Sequence, residues 1–210
     1  MTRWFEDIVI DEVFPLGSHT FEAGEGAEGA REARPRKPFT AERAWEYLLF
    51  ILARRSYTVA ELRQRLERRG LPAEEGEPLL ERLVELRLVD DALYAEQYVH
   101  ARQAARGRSA LRRELRRKGV DEELVEQELA DLTPEQQTEA ATELLERNAW
   151  RYRPTAEAEA ESASDEEAYQ RRERLYKARA KAFAFLARRG FGADAAAAAV
   201  ERVGWFDDDA

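Results

Sequence analysis

From Phe39 to Tyr152, and again from Leu175 to Val203, apolar residues recur every three or four positions with charged residues between them, the period of amphipathic helices. Phe39 and Thr40 open the first predicted helix, Thr40 as N-cap and Phe39 placed to staple onto Ala44. Trp45, Tyr47, Leu48, Leu49, Phe50, Ile51 and Leu52 make it apolar nearly all round, so burial is expected on every side. Thr58 and Glu61 have the spacing of a capping box, with Tyr57 placed to staple against Leu62. That second helix buries Leu62 and Leu66 and ends at Gly70; a third carries Leu79, Leu80, Leu83, Val84 and Leu86. Asp90 and Asp91 suit a helix mouth, where unpaired N–H groups favour an acceptor, and Ala92, Leu93, Tyr94, Ala95, Tyr98 and Val99 follow at helical spacing. A further helix is predicted over Ser109 to Lys118, with Leu111 and Leu115 buried and Gly119 as its left-handed cap.

Three helix ends share one grammar: LERRGLPAE from Leu66, LRRKGVDEE from Leu115 and LARRGFGAD from Leu186. Each has a leucine, two basic residues, a capping glycine (Gly70, Gly119 or Gly190), a hydrophobic residue and an acid four after the glycine. A capping box at Thr133, Pro134 and Gln136 opens the third unit, whose stripe is Ala140, Ala141, Leu144, Leu145 and Ala149. Farther on, Leu175, Ala182, Phe183 and Leu186 are expected to face inward, and Lys177, Lys181 and Arg188 outward. The expected fold class is all-α: three tandem three-helix repeats stacked into an elongated, curved array behind a mostly disordered N-terminal tail. The expected boundaries are an extension over 1–39 and repeats over 40–90, 91–132 and 133–203. An acidic, low-complexity insertion is expected near 154–169, and 204–210 forms a tail in which Trp205 and Phe206 dock. Within the extension, Asp7 to Phe14 could form a short strand, and disorder is expected from about Pro15 to Pro38.

Charge sharpens this picture. The 210 residues carry a formal net charge of −9, yet residues 101–118 hold eight basic side chains against one acid, a net of +7. Residues 54–69 carry +4 and residues 171–189 carry +7, which leaves −27 for the rest. Segregation of this kind points to a cationic face for phosphates or carboxylates, although a solvated face in an arginine-rich chain would also produce many of these residues. On the helix ending at Gly119, Arg113, Arg116 and Arg117 point away from Leu111 and Leu115, with Arg112 on the flank.

Candidate chemistry is sparse. With no cysteine, disulfides, thiol nucleophiles and cysteine-containing zinc sites are absent, consistent with a cytoplasmic protein. Gly24, Gly26 and Gly29 spell GxGxxG, but no helix follows before Pro35 and Pro38, and Glu25 and Glu28 would repel a pyrophosphate. Asp90, Asp91 and His100 are the best catalytic or metal candidates, yet His100 lies roughly 14 Å along the helix from the aspartates. No enzyme, cofactor or metal is therefore expected. There is no apolar run long enough to span a membrane and no basic-then-apolar leader, so a soluble monomer is expected.

LVDDALYAEQYVHAR from Leu88 resembles the signature of RecX proteins, regulators of the RecA recombinase, and ELRQRLERRGL and LRRELRRKGV resemble the companion motifs. The likeness runs from about Ala44 to Val203; the N-terminal tail and the acidic insertion depart from it. Asp90, Asp91, Tyr94, Ala95 and Tyr98 match the signature and are read, with the three glycines, as structural. The resemblance implies a non-enzymatic, mainly negative regulator in DNA repair, homologous recombination and the SOS response. Such a protein binds RecA–DNA filaments in their groove and restrains ATP hydrolysis, strand exchange and coprotease activity. The expected RecA- or DNA-binding set is Arg68, Arg102, Arg106, Arg108, Arg112, Arg113, Arg116, Arg117, Lys118, Lys177, Lys181 and Arg188, with direct single- or double-stranded DNA contact included. The alternative is a basic helical DNA-binding protein that acts without RecA.

Overall fold

The structure, a computed structural model, describes residues 39–154 and 164–206. The chain divides into units of Met1–Lys37 and Pro38–Ala210, and every described residue belongs to the second. The expected strand at Asp7–Phe14, the disorder near 15–38 and part of the acidic insertion lie outside the described residues.

Those residues are all-helical: α1 (Ala41–Leu52), α2 (Val59–Arg68), α3 (Ala73–Glu85), α4 (Asp91–Arg102), α5 (Arg108–Arg117), α6 (Glu122–Ala130), α7 (Pro134–Arg147), α8 (Ala149–Tyr152), α9 (Asp165–Arg188) and α10 (Ala193–Arg202). Three apolar clusters organise them. Ala44, Leu48, Leu62, Leu66, Leu80 and Leu83 join α1–α3, and Ala95, Val99, Leu111, Leu115, Val125 and Leu129 join α4–α6. Ala141, Leu145, Tyr152, Ala182, Phe185, Leu186 and Ala199 join α7–α10. Each cluster draws its buried side chains from one set of three or four helices, so the chain is a series of three small cores. The third set differs from the other two by the one-turn α8 and by the length of α9.

The repeated helix ends form as their spacing requires. Leu66, Leu115 and Leu186 are buried, and their carbonyls accept the N–H of Leu71, Val120 and Phe191 at 3.1, 3.2 and 3.2 Å. The intervening glycines adopt φ of 82°, 76° and 88°, so α2, α5 and α9 all close in Schellman geometry. Thr133 and Gln136 cap each other's backbone as expected. Trp205 and Phe206 are half-buried against the third cluster.

Several local expectations are corrected. Leu49 and Phe50 are exposed because, among the described residues, α1 turns Ala44, Leu48 and Ile51 toward the core it shares with α2 and α3. The Thr40 hydroxyl donates to the Glu42 carboxylate and makes no cap bond to α1. Thr58 does accept from the Glu61 N–H at 3.1 Å, but the Glu61 carboxylate turns to Lys118 at 2.9 Å. Val84 and Leu86 are exposed, since the core-facing side of that stretch is made by Leu79, Leu80 and Leu83. The segment read as insertion to residue 169 is already helical from Asp165, with Ser164 accepting from the Glu167 N–H at 3.3 Å.

Candidate functional site

Asp90 and Asp91 cap two different helices. Asp90 accepts the Leu93 N–H of its own helix at 3.0 Å, whereas Asp91 reaches back to accept the Val59 N–H at the first turn of α2, also at 3.0 Å. Asp91 is half-buried, and burial pushes its carboxyl above the ordinary range; the Val59 hydrogen bond partly offsets this, while Asp90 and Glu61 add repulsion. Both carboxylates are thus committed to backbone, and His100 is exposed near the far end of α4. No group of three or more His, Asp or Glu residues is placed to hold a metal among the described residues.

Tyr94 and Tyr98, one turn apart on α4, stack with ring centroids 6.1 Å apart. The Tyr98 hydroxyl donates to Glu114 Oε2 at 2.8 Å, and Arg106 Nε approaches the other Glu114 oxygen at 3.1 Å. Burial, followed by that hydrogen bond, pushes the Tyr98 phenol up to about 12. Arg102 lies 4.5 Å over the Tyr98 ring, and the Lys118 ammonium lies within 5.7 Å of both tyrosines while pairing with Glu61. Burial opposes the Lys118 charge, but the hydrogen bonds its ammonium donates to Tyr94 and Glu61 outweigh it and raise its pKa. The signature residues therefore tie α4 to α5 and, through Asp91 and Glu61, α4–α6 to α2.

The capping glycines make the joints between sets. The Thr58 hydroxyl donates to the Lys118 carbonyl at 2.6 Å, and a Cβ on Gly119 would lie 2.2 Å from the Ala60 Cβ. At the next joint the N–H groups of Gly107 and Ser109 donate to the carbonyls of Arg189 and Gly190 at 3.0 and 3.1 Å. The Ser109 hydroxyl adds a bond to Gly190 at 2.8 Å. The end of α5 thus meets the start of α2, and the end of α9 meets the start of α5, so at each joint the negative end of one helix dipole lies at the positive end of the next.

With this frame fixed, the candidate basic residues separate. Arg112 grips Glu126 with both nitrogens at 2.5 and 2.7 Å. Arg63 holds Glu77 in the same way at 2.5 and 2.9 Å, so each pair straddles its glycine seven residues on either side. These hydrogen bonds hold Glu77 and Glu126 below the usual carboxylate range. Arg108 binds the Leu129 carbonyl, its N–H donates to Gln137 at 2.8 Å, Arg116 pairs with Glu122, and Lys177 pairs with Glu173. Arg102, Arg106, Arg108, Arg112, Arg116, Lys118 and Lys177 are therefore engaged within the fold. Arg68, Arg113, Arg117, Lys181 and Arg188 are exposed and make no ion pair among the described residues.

Three of those five, Arg68, Arg117 and Arg188, occupy the same place, two residues before a capping glycine. The next residue is turned toward the protein each time: Arg69 lies 3.9 Å over Tyr47, Lys118 meets Glu61, and Arg189 lies 5.3 Å over Phe185. Sequence spacing alone does not divide two adjacent cations in this way. The fixed offset of Arg63–Glu77 and Arg112–Glu126 around the glycines was the signal that could have assigned Arg112 to the fold.

Comparison with known proteins fits this arrangement. Residues 44–83 match the first three-helix domain of RecX and residues 90–129 the second. The chain is 40% identical over 120 residues to Regulatory protein RecX of Mycolicibacterium smegmatis, covering 56% of this chain and 62% of that protein. It is 39% identical to the Thermobifida fusca protein of that name, covering 63% of this chain and 74% of the relative. With the Deinococcus radiodurans protein the identity is 35% over 79% of this chain and 72% of the relative. The crystal structure of RecX from Lactobacillus salivarius superposes with a TM-score of 0.60 at 22% identity, over 78% of this chain and 96% of that one. A second crystal structure, of regulatory protein RecX, gives 0.55 at 26% identity, over 74% and 68%. With the identity spread over both three-helix domains and nearly three quarters of two relatives, the chain belongs to the RecX family.

Proposed function

We propose that this protein is a non-enzymatic regulator, mainly negative, of a RecA recombinase. In this reading it binds RecA–DNA filaments in the helical groove and restrains ATP hydrolysis, strand exchange and coprotease activity. Its place would be the cytoplasm, in recombinational repair and the SOS response, and it would act as a monomer. The observation that carries the reading is the exposed arginine two residues before each capping glycine, Arg68, Arg117 and Arg188, on a chain of this family. Arginine forks suit the phosphates of DNA and the carboxylates of a protein equally well, and a filament offers both. Fixing successive helices end to end keeps three such forks in a constant relation, so binding a repeating partner orders little new chain. The domain boundaries proposed for the repeats are 40–90, 91–132 and 133–203.

The test is DNA-stimulated ATP hydrolysis by RecA while the full chain is titrated in well below one copy per protomer. A filament modulator inhibits at that ratio, and does so on preformed filaments at moderate salt. A protein that merely competes for DNA inhibits only near saturation and loses its effect steeply with salt. Arg113→Glu with Arg117→Glu is expected to leave helicity near wild type and weaken inhibition; unchanged inhibition removes this face as the contact.

A further inference from the structure

The longest helix carries a feature outside both matched domains. In α9, Tyr169 and Tyr176 are 65% and 74% exposed. Seven residues apart on a helix, they fall within about 20° of the same direction and about 10 Å apart along the axis. Leu175, Ala182 and Leu186 are buried, which fixes the orientation of α9 and leaves the two phenol faces to solvent. Around them the stretch 169–181 holds six basic residues and one acid, a net of +5 within a chain of −9. Arg172 and Arg179 each follow a tyrosine by three positions and so flank the same face; Asp165 and Glu166 lie one turn before Tyr169, and Glu173, between the tyrosines, pairs with Lys177 at 2.7 Å.

We infer that this face of α9 is a binding site for single-stranded nucleic acid. Exposed aromatic faces at a fixed interval, flanked by guanidinium groups, stack unpaired bases while the cations follow the phosphates. A duplex hides its base faces and offers the tyrosines nothing to stack on, so the site should prefer single strands. The aromatic pair would span roughly two nucleotides of an unstacked strand. An anionic lipid surface also attracts cations, but among the exposed residues from 169 to 181 this face has only tyrosines and the small Ala180, and no long aliphatic side chain to enter a bilayer. The inference stands apart from the RecA reading, because the site acts on nucleic acid without a partner protein.

Fluorescence anisotropy of a labelled oligothymidylate, titrated with the full chain in the absence of RecA, tests it. Tyr169→Ala with Tyr176→Ala is expected to weaken binding at least about tenfold while leaving the salt slope unchanged. Tyr169→Phe with Tyr176→Phe keeps the ring faces and should bind as wild type. Arg179→Gln with Lys181→Gln should flatten the salt slope. On the wild-type chain, photocrosslinking of an iodouracil-substituted strand should map to Tyr169 and Tyr176. The inference is overturned if the alanine pair binds as tightly as wild type, if crosslinks fall elsewhere, or if wild type binds duplex as well as single strand. Binding to phosphatidylserine vesicles with none to the oligonucleotide would also overturn it.

Discussion

Asp91 shows at one residue how the sets are fastened. The Val59 N–H is one of the first-turn donors that α2 cannot satisfy, and Asp91 supplies the acceptor from another helix. Asp91→Ala orphans that donor and should cost about 1–2 kcal/mol in urea denaturation, whereas Asp91→Asn keeps an acceptor and should match or exceed wild type at neutral pH. Because the folded carboxyl is raised by burial above its unfolded value, the folded state holds the proton more tightly. That contribution to stability is full below the unfolded pKa and is lost as pH rises through the raised folded one, a dependence that Asp91→Asn should abolish. Tyr98 obeys the same sign at alkaline pH. Its phenol is pushed up to about 12, so stability should fall as pH rises from roughly 10 toward that value. Absorbance titration should show a late-ionising phase in wild type that Tyr98→Phe removes.

At the scale of the element, the helix ends were the most legible part of the sequence, because a leucine, a left-handed glycine and a following apolar residue specify a local geometry. What the same glycines do between sets was not legible. Thr58 lies 60 residues from Lys118 and Ser109 lies 81 from Gly190, and no local pattern pairs them. Likewise Asp91 reads as a cap for its own helix, because sequence order cannot show that the nearer orphan donor belongs to α2. Exposure of Leu49 and Phe50 was misread for a related reason: composition shows that α1 is apolar all round, but not which of its faces meets α2 and α3. The two roles of the glycines separate experimentally. Gly70→Ala meets nothing within 4 Å and bears only the strain of φ +82°, about 1–2 kcal/mol. Gly119→Ala and Gly190→Ala add a Cβ at 2.2 Å from Ala60 and 2.4 Å from Ala110, so each should cost roughly 1–3 kcal/mol more in chemical denaturation.

For the whole molecule, the decisive matter is which cations are left over after the fold has used its share. Composition gave the positive stretches correctly but could not distinguish Arg112, held by Glu126, from Arg117, which makes no ion pair among the described residues. On the proposed function, charge reversal should therefore sort the arginines by structural role and not by position in the sequence. Arg68→Glu, Arg117→Glu and Arg188→Glu lie in separate helices with no shared partner, so their effects on inhibition of RecA should add in free energy. Each is expected to weaken inhibition a few-fold, and the triple variant by about the product, with helicity unchanged. Because these side chains are exposed, the loss should be largest at low salt and shrink as screening grows. Arg112→Gln with Glu126→Gln supplies the contrast: it removes the bidentate fastener between α5 and α6, so it should lower the urea midpoint while leaving inhibition near wild type. If the Arg112–Glu126 variant loses inhibition and the triple reversal keeps it, the recurrent arginines are solvent-facing ballast and the contact lies on another surface.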